Sequence, residues 1–383
     1  MAIIGLDATY LSIHGKGQSV YQYNLVKGLA KLDKKNCYYI FLNKKNISPS
    51  LPQQENLHYV KIGIPKRTIW DQFQLPLLNL KYKLDIYHCT LDTLPLLGKV
   101  KFLLFLFEIP DYRIKQAQKT GYSSLYTKLS HRYITALFSF SLKKAHLIIA
   151  SSHSTKQDLM QKYGVAEGKI RVVYPACDEC FCVANNEEDL LDTKNKYKAY
   201  TGYILHVATT DPRDNTPTVI RAYQEALPEL PHPKKLIICG NIDPKKSGLN
   251  KLIVELNLED NVIFTGYLLG GDLVKLYQAA DVYVDPSFYE GFSFQVLEAM
   301  ACGSPIITSN LTSLPEVVGD AGILVNPTDI RGLSSAIVRV ITDLGLQQTM
   351  RQKGIERTRF FSWDKVAQET LDIYDELLRR SDV

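Results

Sequence analysis

Short apolar runs alternate along the chain with longer stretches in which apolar positions recur every three or four residues. That alternation predicts βα units around a mostly parallel sheet, because a strand covered on both faces is apolar throughout while its covering helix is apolar along one stripe. In the first half the predicted strands are Ile3 to Asp7, Tyr38 to Leu42, His58 to Ile62, Asp85 to His88, Phe102 to Phe107, Leu147 to Ala150 and Ile170 to Tyr174. Helices are predicted at Ser19 to Leu32, at Ser124 to Lys144, and at Thr155 to Tyr163 behind a Ser152 cap. The segment Ala176 to Lys198, rich in Asp, Glu, Asn and Cys, breaks the rhythm and reads as a linker. A second series follows, with strands at Tyr203 to Ala208, Leu236 to Gly240, Val262 to Gly266, Asp281 to Pro286, Pro305 to Ser309 and Gly322 to Asn326.

The expected fold class is therefore α/β, with two doubly wound domains at residues 1–180 and 181–361. A final helix from about Trp363 to Leu378, inside the closing segment 362–383, can pack on either domain, including back on the first. The length of 383 residues agrees with two domains, since one hydrophobic core rarely organises that much chain. Open sheets of this kind bind ligands beyond the carboxyl ends of their strands, so two such domains facing each other would line a cleft with strand-to-helix loops.

Composition changes this picture only slightly. A hydrophobic content of 45% and a charged content of 22% are ordinary for a globular protein and exclude long disorder. The opening MAIIGLDATY lacks a basic leader, and the longest strongly apolar run, Phe102 to Phe107, is far too short to cross a bilayer. Seven cysteines do not make a disulfide framework and suit a reducing compartment, so the expected location is cytoplasmic. Cys177, Cys180 and Cys182 are spaced like part of a zinc site but lack a fourth ligand, and are read as ordinary thiols.

Charge adds an asymmetry. The net charge is +5, yet residues 1–180 carry 25 Lys plus Arg against 12 Asp plus Glu, whereas the remainder carries 20 against 28. A basic first half suits an anionic substrate or an anionic membrane surface, and the mixed Lys, Arg and aromatic stretch from Tyr112 to Lys144 is a candidate contact. No motif supports nucleic-acid binding.

The most informative stretch is DVYVDPSFYEGFSFQVLEAMACGSPIITSNLTSLPEVVGDAGILVNPTD, residues 281–329. It reads as a buried strand, a loop from Ser287 to Ser293 in which Gly291 allows close backbone approach, and a helix from Phe294 to Ala301. The positive end of that helix, facing the strand end, is suited to an anionic group such as a diphosphate. Glu290 lies in the loop and Glu298 eight residues on, in the helix, spaced to reach different parts of one elongated ligand.

Within it, EGFSFQVLE closely resembles the E-x7-E motif of the retaining glycosyltransferases of family four, with Glu290 and Glu298 as its carboxylates. EAMACGSPIITSN, SLPEVVGDAG and ILVNPTD continue the resemblance, which extends to the Gly15 and Gly17 loop, to DPRDN at 211–215 and to VIFTGY at 262–267, and is weakest between residues 40 and 145. The resemblance implies the GT-B architecture of two Rossmann-like domains facing across a cleft, and a nucleotide-sugar donor. By it, Glu290 contacts the transferred sugar and Glu298 holds the ribose hydroxyls. The amides of Gly291, Phe292, Ser293 and Phe294 cradle sugar and phosphate, and Tyr267 borders the base. Gly15 and Gly17 line the cleft near donor or acceptor.

Three departures from the family pattern stand out. Where an Arg and a Lys five residues later normally neutralise the diphosphate, this chain has Thr209 and Asp214. Arg213 is the expected replacement cation, Thr209 can offer a hydroxyl, and Lys245 and Lys246 are further candidates. The His-Asp pair usual after a central strand is replaced by LLFLFEIPD, which leaves Glu108, with His88 on the preceding strand, as candidates to face the acceptor or the cleft. No Asp-x-Asp sequence occurs, so neither a metal nor any other cofactor is expected.

The resulting expectation is transfer of a hexose-like sugar, with retention, from a nucleoside diphosphate sugar to a hydroxyl of a glycan or lipid-linked acceptor. This places the protein in polysaccharide, lipopolysaccharide or glycolipid assembly, peripheral to the inner membrane face. Two rivals stay open: a non-catalytic sugar-nucleotide-binding partner, favoured by the missing cations, and a sugar-nucleotide epimerase of the same architecture.

Overall fold

The computed structural model describes residues 1–11, 17–43, 50–63, 69–111, 125–268 and 270–380. The chain forms two compact units, one of Met1–Ala176 with Ser362–Val383 and the other of Cys177–Phe361.

The first unit holds seven parallel strands: β1 (Ile3–Asp7), β2 (Cys37–Asn43), β3 (Leu57–Ile62), β4 (Ile86–Cys89), β5 (Lys101–Leu106), β6 (Leu147–Ala150) and β7 (Ile170–Val172), in the order β3-β2-β1-β4-β5-β6-β7. The second unit holds six: β8 (Tyr203–Val207), β9 (Lys235–Cys239), β10 (Val262–Gly266), β11 (Val282–Asp285), β12 (Ile306–Ser309) and β13 (Gly322–Val325), in the order β10-β9-β8-β11-β12-β13. Both sheets are doubly wound, and each reverses its direction of winding once, at β1/β4 and at β8/β11.

The central strands are buried along nearly their whole length, which is why their sequences are continuous runs rather than alternating ones. Strand ends differ from the sequence expectation by one or two residues, and the first helix begins at Gly17 instead of Ser19. Ser152 caps the His153–Tyr163 helix by accepting a bond from the Thr155 amide.

The terminal helix Trp363–Arg379 belongs to the first unit. It lies against the Gly17–Leu32 helix so closely that a Cβ at Gly28 would sit 2.6 Å from the Ala367 Cβ. Val366, Ile373, Tyr374 and Leu377 complete the core around Ile4, Leu25, Leu29, Tyr38 and Ile86. Arg171 on β7 forks onto Glu376, at 2.6 and 3.0 Å, and ties the helix to the sheet edge.

Candidate functional site

At the β8/β11 reversal the two flanking strands send their following connections to opposite sides, which opens a crevice at their carboxyl ends. The loops flanking this crevice, after β8 and after β11, are bound to each other. Asn215, held in the left-handed region at φ +58°, donates from its side-chain amide to the carbonyls of Pro286 (3.0 Å) and Pro327 (2.7 Å). The Phe288 amide donates to the Arg213 carbonyl at 2.9 Å. The DPRDN turn is therefore tied to the loop that carries Glu290. Gly240, beside it at the end of β9, is required for close packing, since its φ is +131° and a Cβ there would lie 2.0 Å from the Ala208 carbonyl oxygen.

The loop after β11 is organised from within by Asp285, which is buried at the strand end. Its carboxylate accepts from the Ser287 hydroxyl at 2.5 Å and from the Ser293 hydroxyl at 3.4 Å, and burial pushes its pKa up against those bonds. Ser293 also caps the Phe294–Ala301 helix by accepting from the Val296 amide. Gly291, Phe292 and Ser293 are buried at that mouth, with the Phe292 ring against Phe294 and Phe361. Glu290 is braced through its backbone: its amide donates to the Thr312 hydroxyl at 3.1 Å, and the Ser313 hydroxyl donates to its carbonyl at 2.8 Å.

Glu298 is partly buried on the same helix and accepts a hydrogen bond from the Tyr277 hydroxyl at 3.3 Å. Removal from solvent pushes its pKa up to about 8, opposed by the Tyr277 bond and reinforced by the Asp178 charge. Phe181 sets its ring on Tyr277, centroids 6.0 Å apart. Burial, with the Glu298 charge adding to it, pushes the thiol of Cys177 up to about 12. Cys180 and Cys182 are exposed free thiols.

The expected cations are arranged differently from the sequence reading. Arg213 lies in the turn after β8, but its guanidinium forks onto Asp211, with Nε and Nη2 at 2.9 and 2.8 Å from Oδ2. The cause is local: Asp211 caps this short turn by accepting from the Arg213 amide, which places its carboxylate beneath the arginine side chain. Thr209 uses its hydroxyl to donate to Asp214 at 2.8 Å and to accept from the Asp211 amide at 3.0 Å. Burial, with Asp211 and Asp285 nearby, pushes Asp214 up to about 6 despite the Thr209 bonds. Lys245 and Lys246 sit on an exposed turn whose amides are held by Asp243.

Elsewhere the placements vary. Tyr267, just past β10, is half exposed. Gly17 opens the first helix, while Gly15 lies outside the described residues. Glu108 is partly buried two residues past β5.

His88 corrects the sequence reading. It is wholly buried, its Nδ1 2.8 Å from the Tyr374 hydroxyl, because the terminal helix covers this part of β4; burial lowers its pKa to about 3. A neutral histidine sealed beneath a helix is a core residue and leaves the candidate set.

The bracing residues Asn215, Thr312, Ser313 and Tyr277 escaped the sequence reading. Only Asn215 carried a signal, as an Asn before Thr-Pro at a helix start.

Comparison with known proteins bears directly on this arrangement. Residues 189–357 match the family model of group 1 glycosyl transferases, and residues 15–179 match that of glycosyltransferase family 4. The two halves of the chain are thus each similar to a glycosyltransferase family model. Among similar proteins, O-antigen chain mannosyltransferase B of Escherichia coli is 32% identical over 244 residues, 63% of this chain. The match spans 64% of that enzyme's own length. A Campylobacter jejuni N-acetylgalactosaminyltransferase, named for a diphospho-undecaprenol-linked substrate, is 27% identical over 342 residues, 87% of this chain and 89% of that one. In fold, the chain resembles sucrose-phosphate synthase from Thermosynechococcus elongatus, with a TM-score of 0.74, 20% identity and full coverage of both chains. The pair of Rossmann-like units is thus of the GT-B type. No described helix is long and apolar enough to cross a membrane.

Proposed function

We propose that the protein transfers a sugar from a nucleoside diphosphate sugar to a hydroxyl of a glycan or lipid-linked acceptor, with retention of anomeric configuration. One observation carries the proposal. At the β8/β11 reversal, the turn bearing Arg213, the loop bearing Glu290 and the Ser293-capped helix bearing Glu298 are bound into one group by Asn215 and the Phe288 amide.

In this reading the diphosphate lies at the helix mouth, where the amide-rich end of the helix attracts anions. Glu298 accepts the ribose hydroxyls, Tyr267 borders the base, and Glu290 contacts the transferred sugar. Arg213 turns from Asp211 onto the leaving phosphate, which needs positive charge as the glycosidic bond breaks. That phosphate takes the acceptor's proton on the same face, so no separate base is required. The proposed reaction uses no divalent metal, a reading supported by the lack of an Asp-x-Asp sequence.

The names of the two relatives place such chemistry in O-antigen and undecaprenol-linked glycan assembly. That supports a cytoplasmic enzyme working on glycans at the inner membrane face. The Tyr112 to Lys144 contact expected from charge lies partly outside the described residues.

A thermal-shift screen of UDP-, GDP- and dTDP-sugars, followed by measurement of nucleoside diphosphate release with and without acceptors, tests the function. A ligand that binds only the native state raises its melting temperature. Binding without release across a broad acceptor panel would favour the non-catalytic partner. An altered sugar formed without acceptor would favour the epimerase. Unchanged turnover in EDTA is expected.

A further inference from the structure

A wide π-type turn, Trp70–Gln74, continues into the Leu75–Tyr82 helix on the surface of the first unit. Trp70 and Leu75 face the core, whereas Phe73, Leu77 and Leu80 point outward and are 67%, 66% and 76% exposed. Their spacing of four and then three residues makes one continuous stripe. Beside it the segment 94–100 presents Leu97, 72% exposed, and between the two runs a groove of about 530 Å³. Apolar residues exposed together in this way mark an interaction surface, unlike the scattered ones normal on a protein.

Two observations identify the occupant. The first is charge: from Gln72 to Leu84 the only charged residues are Lys81 and Lys83, and from Thr93 to Lys101 only Lys99 and Lys101, so neither lining segment carries a carboxylate. The segment 94–97 is held in place by Lys144, whose ammonium donates to the carbonyls of Pro95 (2.6 Å) and Leu96 (2.9 Å). The second lies in the groove wall. Asn79 lines the groove, is buried to 8% exposure, and neither its amide nitrogen nor its amide oxygen has a hydrogen-bond partner. A buried amide left unpaired is costly, and a polar group brought by the occupant relieves it.

We infer that this surface docks on an anionic lipid bilayer: Phe73, Leu77, Leu80 and Leu97 enter the acyl boundary, the lysines meet lipid phosphates, and a lipid chain with its ester group lies in the groove over Asn79. A helix with an outward apolar stripe and flanking lysines binds membranes through these two contributions together. The surface is distinct from the donor site, lies on the other unit, and rests on its own geometry and not on the sugar-transfer reading.

The test is sedimentation of the full chain with phosphatidylcholine vesicles, with and without phosphatidylglycerol, at low and high salt. Wild type pellets with the anionic vesicles and is released by salt. Phe73→Ser/Leu77→Ser/Leu80→Ser lowers the vesicle affinity about tenfold or more, and Lys81→Glu/Lys83→Glu/Lys99→Glu lowers it on the order of a hundredfold. Both variants keep the wild-type melting temperature and nucleotide-induced shift, because every substituted side chain is solvent-exposed. Equal pelleting of the serine variant and wild type overturns the inference. So does a wild-type protein that ignores vesicles but dimerises through Phe73, Leu77 and Leu80, for then a second copy covers the stripe. Failure of the donor screen with vesicle binding intact would sink the catalytic reading alone.

Discussion

The two sheets share one winding order, yet their reversal points are built differently. At β8/β11 the loops are joined by side chains reaching backbone carbonyls, as Asn215 does, and the strand-end loops and following helix carry Asp211, Asp214, Asp285, Glu290 and Glu298. At β1/β4 the polar groups turn inward: Gln22 donates to the Thr90 hydroxyl at 2.6 Å, Thr90 donates to the Asp7 carbonyl, and His88 meets Tyr374 beneath the terminal helix. One topology thus carries a candidate reaction site in one unit and, among the described residues, an inward-turned set of polar contacts in the other. Topology supplies the crevice, and the side chains at the strand ends decide its use.

The sharpest way to break this contrast is Glu290→Ala. If the second unit's reversal point is the reaction site, kcat/KM for donor falls by about a thousandfold, the scale of losing a group that stabilises a transition state. The melting temperature should stay close to wild type, because Glu290 is braced through its backbone. Steady-state nucleoside diphosphate release and a melting curve on the same sample check both statements.

Arg213→Ala should lower kcat on the order of a hundredfold if the guanidinium leaves Asp211 for the departing diphosphate. The contrary result, unchanged kcat with a lower melting temperature, would make the Asp211–Arg213 pair a brace for the turn. Asp214→Asn should act in the opposite direction by removing negative charge beside the same turn, raising kcat/KM by roughly a few fold.

Glu298 supplies a pH signature. Bound to ribose hydroxyls it acts as an acceptor, so donor binding selects the ionised form. With its free-state pKa near 8, donor affinity should rise about tenfold per pH unit up to that point and then level off. Stability runs the other way. A carboxyl whose folded pKa lies above the ordinary 4.5 holds its proton more tightly when folded, so its contribution is full below pH 4.5 and is lost as pH rises through about 8. Glu298→Gln should therefore flatten the pH dependence of binding, weaken the donor, and melt higher than wild type at pH 9. Isothermal titration and scanning calorimetry across that range measure the two slopes.

The smallest effect is expected in the first unit. Tyr374→Phe leaves the buried His88 Nδ1 without its partner and should cost about 1–3 kcal/mol in urea unfolding. Donor affinity should not change. A loss of donor affinity in Tyr374→Phe would show that the first unit's interior takes part in the donor site after all.

The alternation of buried runs and amphipathic stretches already carried the α/β class and nearly every strand, because parallel strands covered on both faces leave a continuous apolar signal. The stretch from Asp281 to Asp329 likewise carried the loop, the helix and both glutamates in a local pattern of capping and spacing. What local sequence could not carry was partnership across distance. Arg213 is a different case: its pairing with Asp211 is local, set by the cap that Asp211 makes on the same short turn. His88 looked like a loop-end histidine because Tyr374, 286 positions away, is what covers it. Thr312 braces Glu290 only because β11 and β12 lie side by side. Periodicity and capping act over a few residues and are written along the chain; hydrogen-bond partners and burial are settled when distant segments compete for the same space, and only the folded structure resolves that competition.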